Sequence, residues 1–105
     1  MAWALLIVAG LLEVVWALLL KASDGFSQLW PSVGFLVFAT GSIVLLAMAL
    51  RDLPVGTAYA AWTGIGAVGT ALLGIVLFSE PAGALRLASI FLIVVGIVGT
   101  YLFSA

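Results

Sequence analysis

The chain contains neither cysteine nor histidine. Those two absences exclude thiol catalysis, a disulfide framework, a haem held by His or Cys, and the usual zinc ligand sets. Charge is nearly as scarce. Of 105 residues, only Glu13, Lys21, Asp24, Arg51, Asp52, Glu80 and Arg86 carry charged side chains, while 67% of the chain is hydrophobic. A soluble domain has about a quarter of its residues charged, so the composition is that of a membrane protein. The three cations are scattered and the net charge is −1, which leaves no basic patch for nucleic acid to bind.

What is present is long apolar sequence. A membrane-spanning helix needs about 20 mostly apolar residues, and four segments meet that length: 2–20, 32–50, 55–78 and 85–103. Five of the seven charges fall between these segments, and a sixth, Arg86, is the second residue of the last. Asp24-Gly25 reads as a turn, Trp30 as an interfacial residue, and Pro31 and Pro54 as first-turn prolines. The linker Arg51-Asp52-Leu53-Pro54 is so short that spans two and three should be antiparallel neighbours. The runs do not alternate as the strands of a membrane barrel would, so the expected fold is all-α: four transmembrane helices in one domain.

The seventh charge is different. Glu13 stands in the middle of the first span, where an ionised carboxylate costs at least about 2.5–3.5 kcal/mol. A signal peptide would keep that core unbroken, so the segment is read as a true span. A carboxylate at such depth faces a partner helix or a wet cavity and marks a pathway for ions or substrate. Trp16 lies three residues on, with the small residues Ala9, Gly10 and Ala17 around the acid. In the third span Tyr59, Trp62, Thr63 and Gly66 are expected to share a face, and Ser42 is the most central polar group of the second. A carboxylate among indoles, a phenol and a hydroxyl suits a cation, through charge pairing and cation–π attraction. For Trp16, Tyr59 and Trp62 the alternative is an interfacial belt or packing role, and for Ser42 a bond back to its own helix.

Gly64-Ile65-Gly66 sits inside a span with no strand before it, which excludes a dinucleotide loop and leaves close packing or a hinge. Gly96 and Gly99 in the fourth span read as a small-residue contact surface, the expected dimer seam. With four spans, one side carries the Arg51 loop and both termini, and the other the Lys21 and Arg86 loops. The cations are too evenly divided to orient the chain strongly. This suggests dual topology, with an antiparallel homodimer supplying the inverted repeat that larger transporters encode in one chain.

Several stretches resemble the small multidrug resistance family over the whole length: Glu13-Val14, Lys21 with Gly25-Phe26, Trp30-Pro31-Ser32, and Pro54-Val55-Gly56-Thr57-Ala58-Tyr59-Ala60-Ala61-Trp62-Thr63-Gly64-Ile65-Gly66. Trp16 after the acid, together with Trp62-Thr63-Gly64-Ile65-Gly66-Ala67, is similar to its guanidinium-exporting subtype. Thr100-Tyr101 departs from that subtype, whose members often carry a Lys there. The resemblance implies an antiparallel homodimer in the bacterial inner membrane that exchanges protons for guanidinium by alternating access, without a cofactor. It implies that Glu13 is the shared proton and substrate site, that Trp16 and Ser42 position it, and that Tyr59 and Trp62 wall the pocket. It likewise implies a bend at Gly64 and Gly66 and a dimer contact along the fourth helix. Two other readings remain open at this point: export of hydrophobic quaternary ammonium drugs, and a non-transporting membrane assembly subunit. No nucleophile, metal set or cofactor motif accompanies the acid, so an enzyme is not expected.

Overall fold

A computed structural model describes residues 1–103. It contains four helices, α1 (Ala2–Ala22), α2 (Leu29–Ala49), α3 (Val55–Phe78) and α4 (Ala84–Leu102). Each is long and apolar enough to cross a membrane. The shortest, α4, has 19 residues and spans about 28 Å at 1.5 Å per residue, close to the thickness of a hydrocarbon core.

The helix ends follow from local chemistry. Beyond α1, Ser23 Oγ donates to the Leu20 carbonyl at 2.6 Å and accepts the Phe26 amide at 3.1 Å. Asp24, Gly25 and Phe26 then turn the chain through three consecutive left-handed conformations, with φ of 49°, 69° and 66°. Gly25 takes that geometry without steric cost, and Asp is one of the few other residues that tolerates it. Helix α2 begins at Leu29, three residues before the expected Ser32. Pro31 sits inside its first turn, where no intrahelical N–H bond is required, so the proline marks that turn rather than its first residue. At the far end of α3, Ser79 adopts a left-handed conformation (φ 53°) and stops the helix.

Packing departs from the order of the chain. The tight turn that joins α2 and α3 predicts neighbours, yet the two helices touch little; α1 lies between them and packs along both. The reason is the size of the residues at the contacts. The buried cluster consists of Leu6, Ala9, Leu46, Ala49, Ala58, Ala61 and Trp62, and small side chains let membrane helices approach closely where no hydrophobic driving force exists between them. A Cβ on Gly10 would lie 2.7 Å from Ile65 Cγ2, so α3 presses a side chain into the surface of α1.

Helix α4 packs its backbone only against α3. The Trp3 and Tyr101 rings also meet edge to face at 5.1 Å, linking α4 to the start of α1. A Cβ on Gly64 would lie 2.8 Å from Ile97 Cγ1, so the missing side chain admits α4. Only Ile90 of α4 is buried, while Phe91, Leu92, Val95 and Val98 are exposed. Among the described residues, and apart from their own helix backbone, Gly96 and Gly99 have no heavy atom within 4 Å of the position a Cβ would take. Their small size is not used within the chain. The four helices form a flattened body measuring 43 × 35 × 16 Å.

Candidate functional site

Helix α1 carries Glu13 on the face that meets α3. The carboxylate packs against Gly66, and a Cβ at that position would collide with it. One turn further along, Gly69 likewise gives way to Val14. Glycine at 66 is therefore what allows a long acidic side chain to lie between two packed membrane helices. Within this structure α3 runs unbroken through Gly64 and Gly66, and both glycines act through close approach.

Two buried polar atoms in this region have no hydrogen-bond partner among the described residues: Glu13 Oε1 and Trp16 Nε1. They belong to residues three apart on one face of α1. A buried donor or acceptor left unpaired costs on the order of 1–3 kcal/mol, so stability alone does not account for an acceptor and a donor kept unsatisfied within one turn of α1. The Trp16 ring is held edge-on against Phe35 at 5.6 Å, and Phe35 meets Phe26 at the same distance. The indole is fixed by packing, and its N–H remains free to serve something else.

Ser42 is fully buried and joins three helices. Its hydroxyl donates to the Ala9 carbonyl of α1 at 2.6 Å and accepts the Trp62 indole N–H of α3 at 3.0 Å. Among the described residues it makes no hydrogen bond back to its own helix and none to Glu13. Ala9 lies four residues before Glu13, so its carbonyl is the one that accepts the Glu13 backbone N–H in an α-helix. Ser42 and Trp62 thus grip the turn of α1 that carries the acid, without occupying the acid itself. Removing the hydroxyl would leave the Trp62 N–H buried and unpaired.

The third-span residues divide between two faces. Ala58, Trp62 and Gly66 follow an i, i+4 row turned toward α1 and are buried, whereas Tyr59 and Thr63 are exposed. Helical geometry places Tyr59 and Trp62 close enough for their rings to meet at 5.6 Å, tilted by 52°. Tyr59 nevertheless stands on the open surface of the slab, 57% exposed. The single aromatic wall expected from the sequence is one buried indole with a phenol at its edge.

A second feature escapes a reading of the sequence. Between α1, α3 and the start of α4 lies a cavity of about 350 Å³. It is lined by Ala17, Ala67 and Thr70 within the spans and by Lys21, Glu80 and Arg86 at or beyond the helix ends. Arg86 Nη2 donates to Glu80 Oε1 at 2.9 Å, and Lys21 Nζ sits 5.6 Å from the centre of the Phe78 ring. The sequence marks these three charges only as loop residues; the six-residue separation of Glu80 and Arg86 across Pro81 and Gly83 is the one signal of their pairing. Among the described residues, no group of three or more acidic side chains is placed to hold a metal ion.

Comparison with known proteins identifies the family. Residues 1–93 match the family model described as Small Multidrug Resistance protein. The chain is 59% identical over 104 residues to a protein of Yersinia pseudotuberculosis named Guanidinium exporter, covering 99% of this chain and all of that one. It is 60% identical over 99 residues to the protein of that name from Escherichia coli K12, covering 94% of each chain. A Citrobacter freundii relative with the same name is 56% identical over 99 residues, again with 94% of each chain covered. With four membrane-crossing helices and a family match over most of its length, the chain is a multi-pass transporter of the bacterial inner membrane and belongs to the small multidrug resistance family.

Proposed function

We propose that this transporter exports guanidinium and small guanidine-like cations in exchange for protons, as an antiparallel homodimer. The observation that carries the reading is the pairing of two unsatisfied groups at membrane depth, Glu13 Oε1 and Trp16 Nε1, on a face kept open by Gly66. Guanidinium is a planar cation whose N–H groups match a carboxylate in a two-pronged hydrogen-bonded fork. The names of the relatives support the same cargo.

In this reading Glu13 holds either a proton or the cation. A site that cannot hold both couples the inward flow of one to the outward flow of the other when its opening alternates between the two sides. Ser42 and Trp62 fix the turn of α1 beneath the acid, Trp16 narrows the space beside it, and Tyr59 reaches the cargo from the edge. Gly64 and Gly66 serve as the hinge through which α3 changes shape between the two openings. Two copies of Glu13 limit exchange to at most two protons per cycle.

The outer helix α4, of which only Ile90 is buried, leaves an apolar face open, which favours a second copy. The open surfaces at Gly96 and Gly99 of α4 are the proposed contact, since small residues let such helices dock. Insertion in both orientations has a direct check. A single cysteine introduced in the loop after Lys21 should be modified by an impermeant thiol reagent from both faces of the membrane; modification from one face alone would contradict the antiparallel arrangement.

Cargo is tested by currents across solid-supported membranes carrying the purified chain. Guanidinium should produce a transport current and bulky quaternary ammonium ions little or none, because they lack N–H donors for the carboxylate and need the volume that the Trp16 indole fills. The opposite ranking would assign the chain to export of hydrophobic quaternary ammonium drugs. No current with either would contradict both cargo readings.

A further inference from the structure

Helix α3 makes room for a carboxylate twice. Gly66 yields to Glu13, and Gly74, two turns further along the same i, i+4 row, yields in the same way to Glu80. The two glycines are about 12 Å apart along the axis. Thr70 lies midway on that row and lines the cavity, together with Ala17, one turn beyond Glu13 on α1. The cavity therefore begins one turn from the Glu13 site and opens between Glu80, Arg86 and Lys21.

Chain reversal puts Glu80 there. The left-handed Ser79 ends α3, and the Glu80 N–H turns back to donate to the Gly74 carbonyl at 3.3 Å. The side chain then lies over Gly74 at the negative end of the helix dipole, where a cation is favoured. Lys21 is held against the Phe78 ring, so Arg86 is the only ion-pair partner of Glu80 among the described residues. The group that Arg86 presents is itself a guanidinium. Both side chains of the pair are more than a third exposed, at 38% and 37%, and a pair so exposed is weakly held and easily exchanged.

We propose that Glu80 is a second binding site for the guanidinium-type cation, at the mouth of the path to Glu13, and that the Arg86 side chain occupies it as an exchangeable stand-in for the cargo. This rests on the guanidinium reading of the central site. A free guanidinium ion displaces the Arg86 head from the Glu80 carboxylate, the mouth opens, and the ion passes along Thr70 and Ala17 to Glu13. In an antiparallel dimer each face of the membrane carries one such mouth.

The test is the guanidinium concentration dependence of transport currents in proteoliposomes. Glu80→Gln should raise the half-saturating concentration about tenfold, the loss of one charge-assisted contact, while keeping the maximal current. Glu80→Asp should fall between, and Arg86→Gln should lower the half-saturating concentration by freeing the carboxylate. An unchanged half-saturating concentration in Glu80→Gln overturns the site, and so does loss of maximal current in both Glu80 variants. Should Glu80→Gln fail to give a monodisperse protein, unchanged values in Glu80→Asp and Arg86→Gln overturn it equally. A wild-type chain that gives no guanidinium current contradicts the exporter reading, and this site with it; normal wild-type currents with unaltered variants contradict this site alone.

Discussion

Glu13→Gln is expected to abolish proton-coupled guanidinium uptake into liposomes, leaving less than about a hundredth of the wild-type rate. The substitution keeps the size and shape of the side chain, so the packing against Gly66 is retained. What it removes is the charge. A neutral amide cannot neutralise a cation at membrane depth, where an unpaired charge costs several kcal/mol, and two charge-assisted hydrogen bonds are lost with it. A loss of about 3 kcal/mol corresponds to roughly a hundredfold in rate or affinity. The amide also cannot take up and release a proton, so any residual guanidinium movement should no longer respond to a pH gradient. A variant that keeps coupled transport would remove Glu13 from the mechanism.

Gly66→Ala should have the second largest effect, reducing transport at least about tenfold although the residue carries no functional group. A methyl at 66 would occupy the position of the Glu13 carboxylate. The conflict must be relieved by turning the acid away from its place beside Trp16 or by forcing α1 and α3 apart, and overpacking of this kind typically costs about 1–3 kcal/mol. Glycine-to-alanine changes are otherwise benign or favourable in an exposed helix interior. Gly56→Ala is therefore the matched control: that glycine lies on the same helix with open space around it, and its transport should match wild type. Parallel initial-rate measurements on the two variants, with thermal melting in detergent, check the expectation. Equal rates in both would show that Glu13 does not need the space at 66.

The four spans and the unusual placement of Glu13 can be read from the sequence because the signals are strong and local: long apolar runs, other charges confined to the turns and helix ends, and one acid out of place. The helix partners cannot. A four-residue linker suggests that α2 and α3 lie together, but the alanine and glycine rows that let α1 separate them are distributed along three helices. Ser42 shows the same limit. Its chemistry is visible as a central hydroxyl, whereas its partners Ala9 and Trp62 depend on the rotation of α2 about its axis, which an almost uniformly apolar helix leaves undefined. The glycine pattern at 64–66 can mean bending or packing from sequence alone; the atoms beside each glycine identify which neighbour uses the space. Glu80 and Gly74 were invisible as a pair because a left-handed residue, Ser79, folds the loop back over the helix it follows.

The exchange of cargo for protons at one carboxylate is tested most directly by asking whether a guanidinium gradient alone moves protons. Liposomes containing the purified chain, with a pH-sensitive dye trapped inside and no initial pH gradient or membrane potential, are diluted into medium containing guanidinium. Guanidinium entry through wild-type chain should drive protons out and make the interior alkaline, and Glu13→Gln should show no such change. Guanidinium entering the wild-type liposomes with no movement of protons would contradict the account.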